Sequence, residues 1–227
     1  MITTDFKQID KDRYRMRNKF AYLACLLMSF SAAQVLAAGD PAAGAQKIQM
    51  CAACHGPDGN SINPAWPKLA GQHESYLLKQ LQDFKSGTRA NPQMAPMTAA
   101  LSDQDMQDIA AYYSSKSLQE TPLAASVESM TITLGETIYR AGETTSGQPA
   151  CMACHGPGAI GNPAAKHPGL AGQHAAYTAA QLQGFKTETR KNDANNMMRD
   201  IAGKMTNEEI DAVSQYIQGL SRVAPAQ

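Results

Sequence analysis

One short pattern occurs twice in this chain and limits what the chain can fold around. Residues 51–55 read Cys-Ala-Ala-Cys-His, and residues 151–155 read Cys-Met-Ala-Cys-His, 100 positions later. Two cysteines separated by two residues, with a histidine directly after the second, form the attachment pattern of a c-type haem. On one turn of helix the two thiols reach the two vinyl groups of one porphyrin, and the histidine presents its imidazole to the iron. We therefore expect two covalently bound haem c groups, attached through Cys51, Cys54, Cys151 and Cys154, with His55 and His155 as iron ligands.

A Cys-x-x-Cys pair also occurs in zinc sites and in redox-active dithiols. A zinc site needs four ligands, and each motif would have to take a distant one from a chain with no spare cysteine. The fifth cysteine, Cys25, lies in an apolar segment near the N-terminus. A thioredoxin-like dithiol lies between a strand and a helix, and neither copy has that context. The histidine present in both copies favours haem over these alternatives.

The first 37 residues have the features of a secretory signal peptide. A basic region ends at Lys19, and residues 20–38 carry no charge and end in small residues. Val35-Leu36-Ala37 fits the cleavage rule, so we expect residues 1–37 to be removed. Export of a haem c protein predicts a periplasmic location. The alternative is an uncleaved anchor, because 19 uncharged residues just span a bilayer, although polar residues within them make this a weak span.

The charge balance argues against one class of partner. After Ala37 the chain carries 14 Lys or Arg and 17 Asp or Glu, a net charge of about −3. Nucleic-acid binding requires a basic face, so no nucleic-acid partner is expected.

The two halves of the chain repeat each other beyond the haem motifs. The run Leu-Ala-Gly-Gln-His occurs at 69–73 and again at 170–174, and a helical pattern follows each copy. Residues 206–209 form a capping box before the last helix, and residues 102–105 form its looser counterpart. At the start, Asp40-Pro41 predicts a helix that runs from Ala42 into Cys51.

No stretch alternates well enough to be a strand, so both halves are predicted to be all-α. We expect an N-terminal domain over residues 38–117, a linker over 118–133 that contains Pro122, and a C-terminal domain over 134–222.

The second axial ligand of each iron decides the function. An open position permits ligand binding or peroxide chemistry, whereas a methionine closes it and suits electron transfer. Met94 and Met198 each lie eight residues before a helix cap, so the repeat favours them as ligands. Met97 and Met197 stay as alternatives, because a loop register is easily misjudged.

Two further repeated pairs bear on the iron sites. His73 and His174 raise a bis-histidine alternative, against the simpler role of helix-start or interface residues. Pro67 and Pro168 follow the motif histidines by 12 and 13 residues. Their carbonyls either accept the imidazole Nδ1–H, which would orient the ring, or only shape the loop.

These motifs together resemble the cytochrome c4 family, dihaem members of the class I c-type cytochromes, over residues 38–222. The similar segments are Ala38-Gly39-Asp40, Pro67 to Gln72, Leu101 to Asp105, and Gly172 to Ala179. The resemblance implies two class I cytochrome c domains related by a pseudo-twofold axis, with haem propionates near the interface. It also places the methionine ligands on Met94 and Met198.

The expected function is electron transfer without substrate chemistry, so no enzymatic activity is expected. The resemblance implies the cytochrome bc complex as donor and a haem–copper terminal oxidase as acceptor. The carrier is expected to be either soluble or peripherally associated with the membrane. Two alternatives remain, namely the haem subunit of a periplasmic dehydrogenase and a dihaem peroxidase. A peroxidase needs one displaceable iron ligand, which the methionine in both halves argues against.

Overall fold

The computed structural model describes residues 38–222, and within that range the secondary structure is helical, with two isolated β-bridges and no strand. The first half contains α1 (Pro41–Ala45), α2 (Gln49–His55), α3 (Glu74–Ser86), α4 (Met94–Ala99) and α5 (Asp103–Ser114). The second half contains α6 (Ser129–Ala141), α7 (Met152–His155), α8 (Ala175–Lys186), α9 (Met197–Ala202), which follows a 3₁₀ turn at Ala194–Asn196, and α10 (Asn207–Gly219).

Side-chain caps begin three of these helices. The Asp40 carboxylate accepts the Ala42 N–H at 2.8 Å, with Pro41 in the first helical position. Ser102 and Thr206 begin α5 and α10 with complete capping boxes, so the looser box in the first half is complete as well. Each cap satisfies N–H groups that the first helical turn leaves without an intrahelical partner.

The continuous helix predicted from Ala42 into Cys51 is wrong in one detail. The chain forms two short helices, α1 and α2, separated at residues 46–48. The Lys47 N–H bonds back to the Gly44 carbonyl at 2.8 Å, a tighter turn than the α-helix makes. This break lets Lys47 extend to α5, where its ammonium lies 2.6 Å from the Asp108 carboxylate.

In each half the first helix packs against the last through a glycine. Gly44 of α1 lies against the Asp108 carbonyl of α5, and Gly135 of α6 lies against the Ala212 carbonyl of α10. A Cβ at either glycine would come within 2.2 Å of that carbonyl oxygen. Only a residue without a side chain allows helices to approach this closely.

Each half has its own apolar core. In the first half the core is built around Ile48, Leu77, Ile109 and Tyr113. In the second it is built around Ile138, Tyr139, Ile210, Val213 and Ile217. The cores flank the Cys-x-x-Cys-His segments, because Cys51 packs against the first and Cys151 against the second.

The two halves meet through reciprocal hydrogen bonds. The Gln72 side chain bonds to the backbone of Gly169, and the Gln173 side chain bonds to the backbone of Lys68. Arg89 likewise donates to the Tyr177 hydroxyl at 3.1 Å. Its repeat partner Arg190 donates to the Tyr76 hydroxyl at 3.2 Å. Contacts in which equivalent residues exchange roles are those of a twofold axis, so the halves are related by the pseudo-twofold symmetry that the resemblance implies.

Two sequence predictions involve segments at the edges of these halves. The signal peptide predicted for residues 1–37 lies outside the described residues. The segment expected as a linker, 118–133, includes the first turn of α6, which begins at Ser129. None of the helices within residues 38–222 combines the length and apolar character needed to cross a bilayer.

Candidate functional site

The first haem-attachment segment forms helix α2. Cys51 and Cys54 are half-buried free thiols on this helix, and His55 is its last residue and only 7% exposed. Gly56 ends the helix with a φ of 81°, a conformation that favours glycine. The helix therefore presents two thiols and one imidazole from about one turn of backbone.

The second segment repeats this arrangement on the shorter helix α7. Cys151, which precedes the helix, is half-buried, Cys154 is exposed, and His155 is 8% exposed. One contact of this segment was not foreseen from the sequence. The His167 Nδ1 lies 3.3 Å from the Cys154 carbonyl oxygen. Among the described residues, no three His, Cys, Asp or Glu side chains are grouped to hold a metal ion by themselves.

A proline carbonyl orients each motif histidine. His55 Nδ1 lies 2.9 Å from the Pro67 oxygen, and His155 Nδ1 lies 3.0 Å from the Pro168 oxygen. Of the two roles that the sequence left open for these prolines, the hydrogen bond is present in both halves. Burial lowers the pKa of both imidazoles, and the proline carbonyls oppose that effect only in part. Because a carbonyl oxygen can only accept, the proton lies on Nδ1 in each ring, and Nε2 is the nitrogen available to bind a metal ion.

The methionines favoured by the repeat occupy matching places. Met94 is the first residue of α4 and Met198 the second of α9, and both are half-buried. Four residues after each lies a fully buried residue, Thr98 or Ala202, which shows that the two short helices share one register. The alternatives Met97 and Met197 are more exposed, at 37% and 39%.

His73 and His174 lie at the contact between the halves. His73 Nε2 is 2.7 Å from the Ile160 oxygen, and His174 Nε2 is 2.8 Å from the Ser61 oxygen. Each ring therefore bonds to the loop that follows the opposite haem motif. This is the interface role weighed against bis-histidine ligation in the sequence analysis.

The donor set in each half fits a covalent haem. In each half two free thiols and one imidazole lie within five consecutive residues, beside an apolar core that a porphyrin face would extend. The Tyr113 hydroxyl in the first core and both amide atoms of Gln148, three residues before Cys151, are buried without a partner within residues 38–222. Such groups are costly inside a protein, and a bound group with polar edges would satisfy them.

Comparison with known proteins agrees with this geometry. The family model described as cytochrome c matches residues 41–116 and 132–221, one match for each half. Cytochrome c4 of Thiocapsa roseopersicina is 52% identical over 186 residues, which cover 81% of this chain and 94% of that protein. The chain belongs to the cytochrome c4 family. Proteins of the cytochrome c4 family carry two covalent c-type haems, and the two Cys-x-x-Cys-His motifs provide for both here.

Comparison with solved structures shows the same relationship. The crystal structure of reduced recombinant cytochrome c4 from Pseudomonas stutzeri superposes with a TM-score of 0.77 at 47% identity, covering 81% of this chain and all of that chain. A protein of Stutzerimonas stutzeri named thiosulfate dehydrogenase electron acceptor is 39% identical over 76% of this chain and 79% of that protein. Membership of the cytochrome c4 family makes this chain a dihaem electron-transfer cytochrome.

Sequence reasoning missed the role of two repeated residues. Gln72 and Gln173 are buried at the contact between the halves, where each side chain bonds to both the N–H and the carbonyl of one opposing residue. Their repetition within Leu-Ala-Gly-Gln-His was visible in the sequence. A repeat alone does not tell whether a residue faces its own core or the other half.

Proposed function

We propose that this protein carries single electrons in the periplasm, from the cytochrome bc complex to a haem–copper terminal oxidase. Its membership of a dihaem electron-transfer family supports a carrier role. The basic and apolar N-terminal sequence supports export, with residues 1–37 as the signal peptide. In this proposal residues 38–117 and 134–222 each form one haem domain, and 118–133 connects them.

The iron ligation that we propose is His55 with Met94, and His155 with Met198. The matching register of Met94 and Met198 is the observation that supports it most directly. The haem would supply a one-electron Fe(III)/Fe(II) couple, and the Met94 and Met198 thioethers would raise its potential and exclude other ligands. The protein residues hold the imidazoles at Nδ1 and surround the haem with apolar side chains.

Replacing each methionine tests this ligation. Met94→Ala and Met198→Ala should each create one haem that binds carbon monoxide in the reduced state and should remove half of the weak Met-to-iron absorption band. The matched variants Met97→Ala and Met197→Ala should retain the full Met-to-iron band and bind no carbon monoxide. The assignment is wrong if Met97→Ala binds carbon monoxide and Met94→Ala does not, or if Met197→Ala binds it and Met198→Ala does not.

The partner proposal is tested by rapid mixing. Purified protein should be reduced by the cytochrome bc complex and should then be oxidised by membranes that contain the haem–copper oxidase, in both steps faster than an unrelated mono-haem cytochrome. Slow exchange with both complexes would contradict the proposal. Peroxide turnover by the isolated protein would instead favour the dihaem peroxidase alternative.

A second candidate function is supported by the relative named thiosulfate dehydrogenase electron acceptor. In this function a periplasmic dehydrogenase would replace the bc complex as donor, with the same haems and ligands. Reduction of the purified protein by a thiosulfate dehydrogenase and thiosulfate, compared with reduction by the bc complex, distinguishes the two donors.

A further inference from the structure

The peptide group between Pro67 and Lys68 is hydrogen-bonded on both sides. Its carbonyl oxygen, on Pro67, accepts the imidazole Nδ1–H of His55 at 2.9 Å. Its N–H, on Lys68, donates to the Gln173 Oε1 of the opposite half at 2.9 Å. One planar peptide thus connects the proposed iron ligand of the first half to a side chain of the second.

The second half contains the same connection in the opposite direction. The Pro168 oxygen accepts from His155 Nδ1 at 3.0 Å, and the N–H of the same peptide, on Gly169, donates to the Gln72 Oε1 at 2.9 Å. In both halves the glutamine Nε2 also donates to the carbonyl of the residue it clamps, at 2.8 Å for Gln72 and 2.9 Å for Gln173. These second bonds fix which amide atom faces the peptide N–H.

A peptide that donates at its N–H becomes a stronger acceptor at its oxygen, because hydrogen bonds in a chain polarise one another. A stronger acceptor draws more of the proton from Nδ1 and makes the imidazole a better electron donor. A more strongly donating ligand favours Fe(III) over Fe(II). Both glutamines are buried, at 5% and 9% exposure, so solvent does not readily replace their bonds.

We propose that Gln72 and Gln173 are positioning residues that set the reduction potentials across the domain contact, each acting on the haem of the opposite half. Gln173 acts on the first haem through the Pro67–Lys68 peptide, and Gln72 acts on the second through the Pro168–Gly169 peptide. The potential of each haem then depends on an intact contact between the halves. This inference rests on His55 and His155 being iron ligands, as proposed above.

The test is a pair of variants, Gln173→Ala and Gln72→Ala, in the dihaem protein. Redox titration followed by NMR of the haem methyl signals, assigned to each haem by their contacts with residues of that half, gives two separate potentials. Gln173→Ala should raise the potential of the first haem more than that of the second, and Gln72→Ala should do the reverse. In the reduced protein the Nδ1–H signal of His55 should move upfield in Gln173→Ala, and that of His155 should stay in place.

His174→Gln is the control for a loosened contact. His174 is adjacent to Gln173 and bonds across the same contact, but to the Ser61 oxygen, which accepts no iron-ligand proton. This variant should leave the difference between the two potentials unchanged. Equal shifts of both haems in the glutamine variants, no shift, or the same shift in His174→Gln would each overturn the proposal. A Met-to-iron band in every variant shows that the iron ligation is retained. Absence of this band from the unmodified protein would instead contradict the proposed function.

Discussion

Gly87 and Glu188 occupy equivalent positions after α3 and α8, and both have left-handed backbone. Their φ angles are 78° and 57°. Each turn is closed by the same backbone hydrogen bond. The Arg89 N–H donates to the Asp83 carbonyl, and the Arg190 N–H donates to the Gly184 carbonyl, both at 2.9 Å. The backbone conformation is thus set by the turn, and only the first half places glycine there.

At this single position we expect Glu188→Gly to stabilise the folded protein by about 1 kcal/mol, because a side chain in left-handed backbone is strained. Gly87→Ala should destabilise it by about the same amount, since no atom lies within 4 Å of the added Cβ and the cost is that of the backbone alone. Chemical denaturation of the holoprotein, followed by circular dichroism, measures both. A loss of stability in Glu188→Gly would contradict this reading of the turn.

At the scale of elements, the contacts of α1 with α5 and of α6 with α10 each depend on one glycine. A Cβ at Gly44 would lie 2.8 Å from the Tyr112 Cβ, and one at Gly135 would lie 2.8 Å from the Tyr216 Cβ, in addition to the contacts with backbone carbonyls. Backbone atoms cannot rotate away as the end of a long side chain can. The helices would therefore have to separate.

We expect Gly44→Ala and Gly135→Ala each to destabilise the fold by about 1–3 kcal/mol or more, the usual range for overpacking. Ala45→Ser, at an exposed position of the same helix α1, should change stability by no more than about 0.5 kcal/mol. Thermal unfolding of each variant measures the difference. Wild-type stability in Gly44→Ala would show that α1 does not pack as described.

Much of the element order could be predicted from the sequence, because the signals are local. A capping box uses residues three apart, and the Cys-x-x-Cys-His segment fits one turn of helix. The sequence around Thr206 and around Cys51 is therefore enough to predict a helix at each. The break between α1 and α2 lets Lys47 reach α5, and it was missed because that contact joins residues distant in sequence. The clamps made by Gln72 and Gln173 were missed for the same reason, since they join residues about 100 positions apart.

At the scale of the whole molecule, we expect the two halves to differ in their stability to acid. Asp108 is buried in the first half, where it accepts from the Asp40 N–H at 3.0 Å, Gln104 at 2.8 Å and the Lys47 ammonium at 2.6 Å. The Asp40 and Lys47 bonds hold the pKa of this carboxyl below its usual value. The equivalent residue of the second half, by the offset of the last helices, is Ala212.

Stability from Asp108 is therefore present above the ordinary aspartate pKa of about 3.9 and is lost as the pH falls through the lower pKa of the folded state. The unfolded chain binds the proton first in that window, so acid favours unfolding. We expect amide hydrogen exchange to show that α1 and α5 lose protection between pH 5 and about pH 3 before α6 and α10 do. In Asp108→Asn this difference in pH dependence between the halves should become smaller without vanishing, because Lys47 and Ser102 also lower the pKa of Asp105 in the first half. An unchanged difference would assign the whole effect to groups other than Asp108.

Because Gln72 and Gln173 each bond to the opposite half, neither half contains everything that surrounds its own proposed iron ligand. A fragment cut in the linker would keep its thiols, its imidazole and its proline carbonyl, yet the peptide beyond that carbonyl would face water in place of an amide. Properties measured on one half alone would therefore not add up to those of the intact chain.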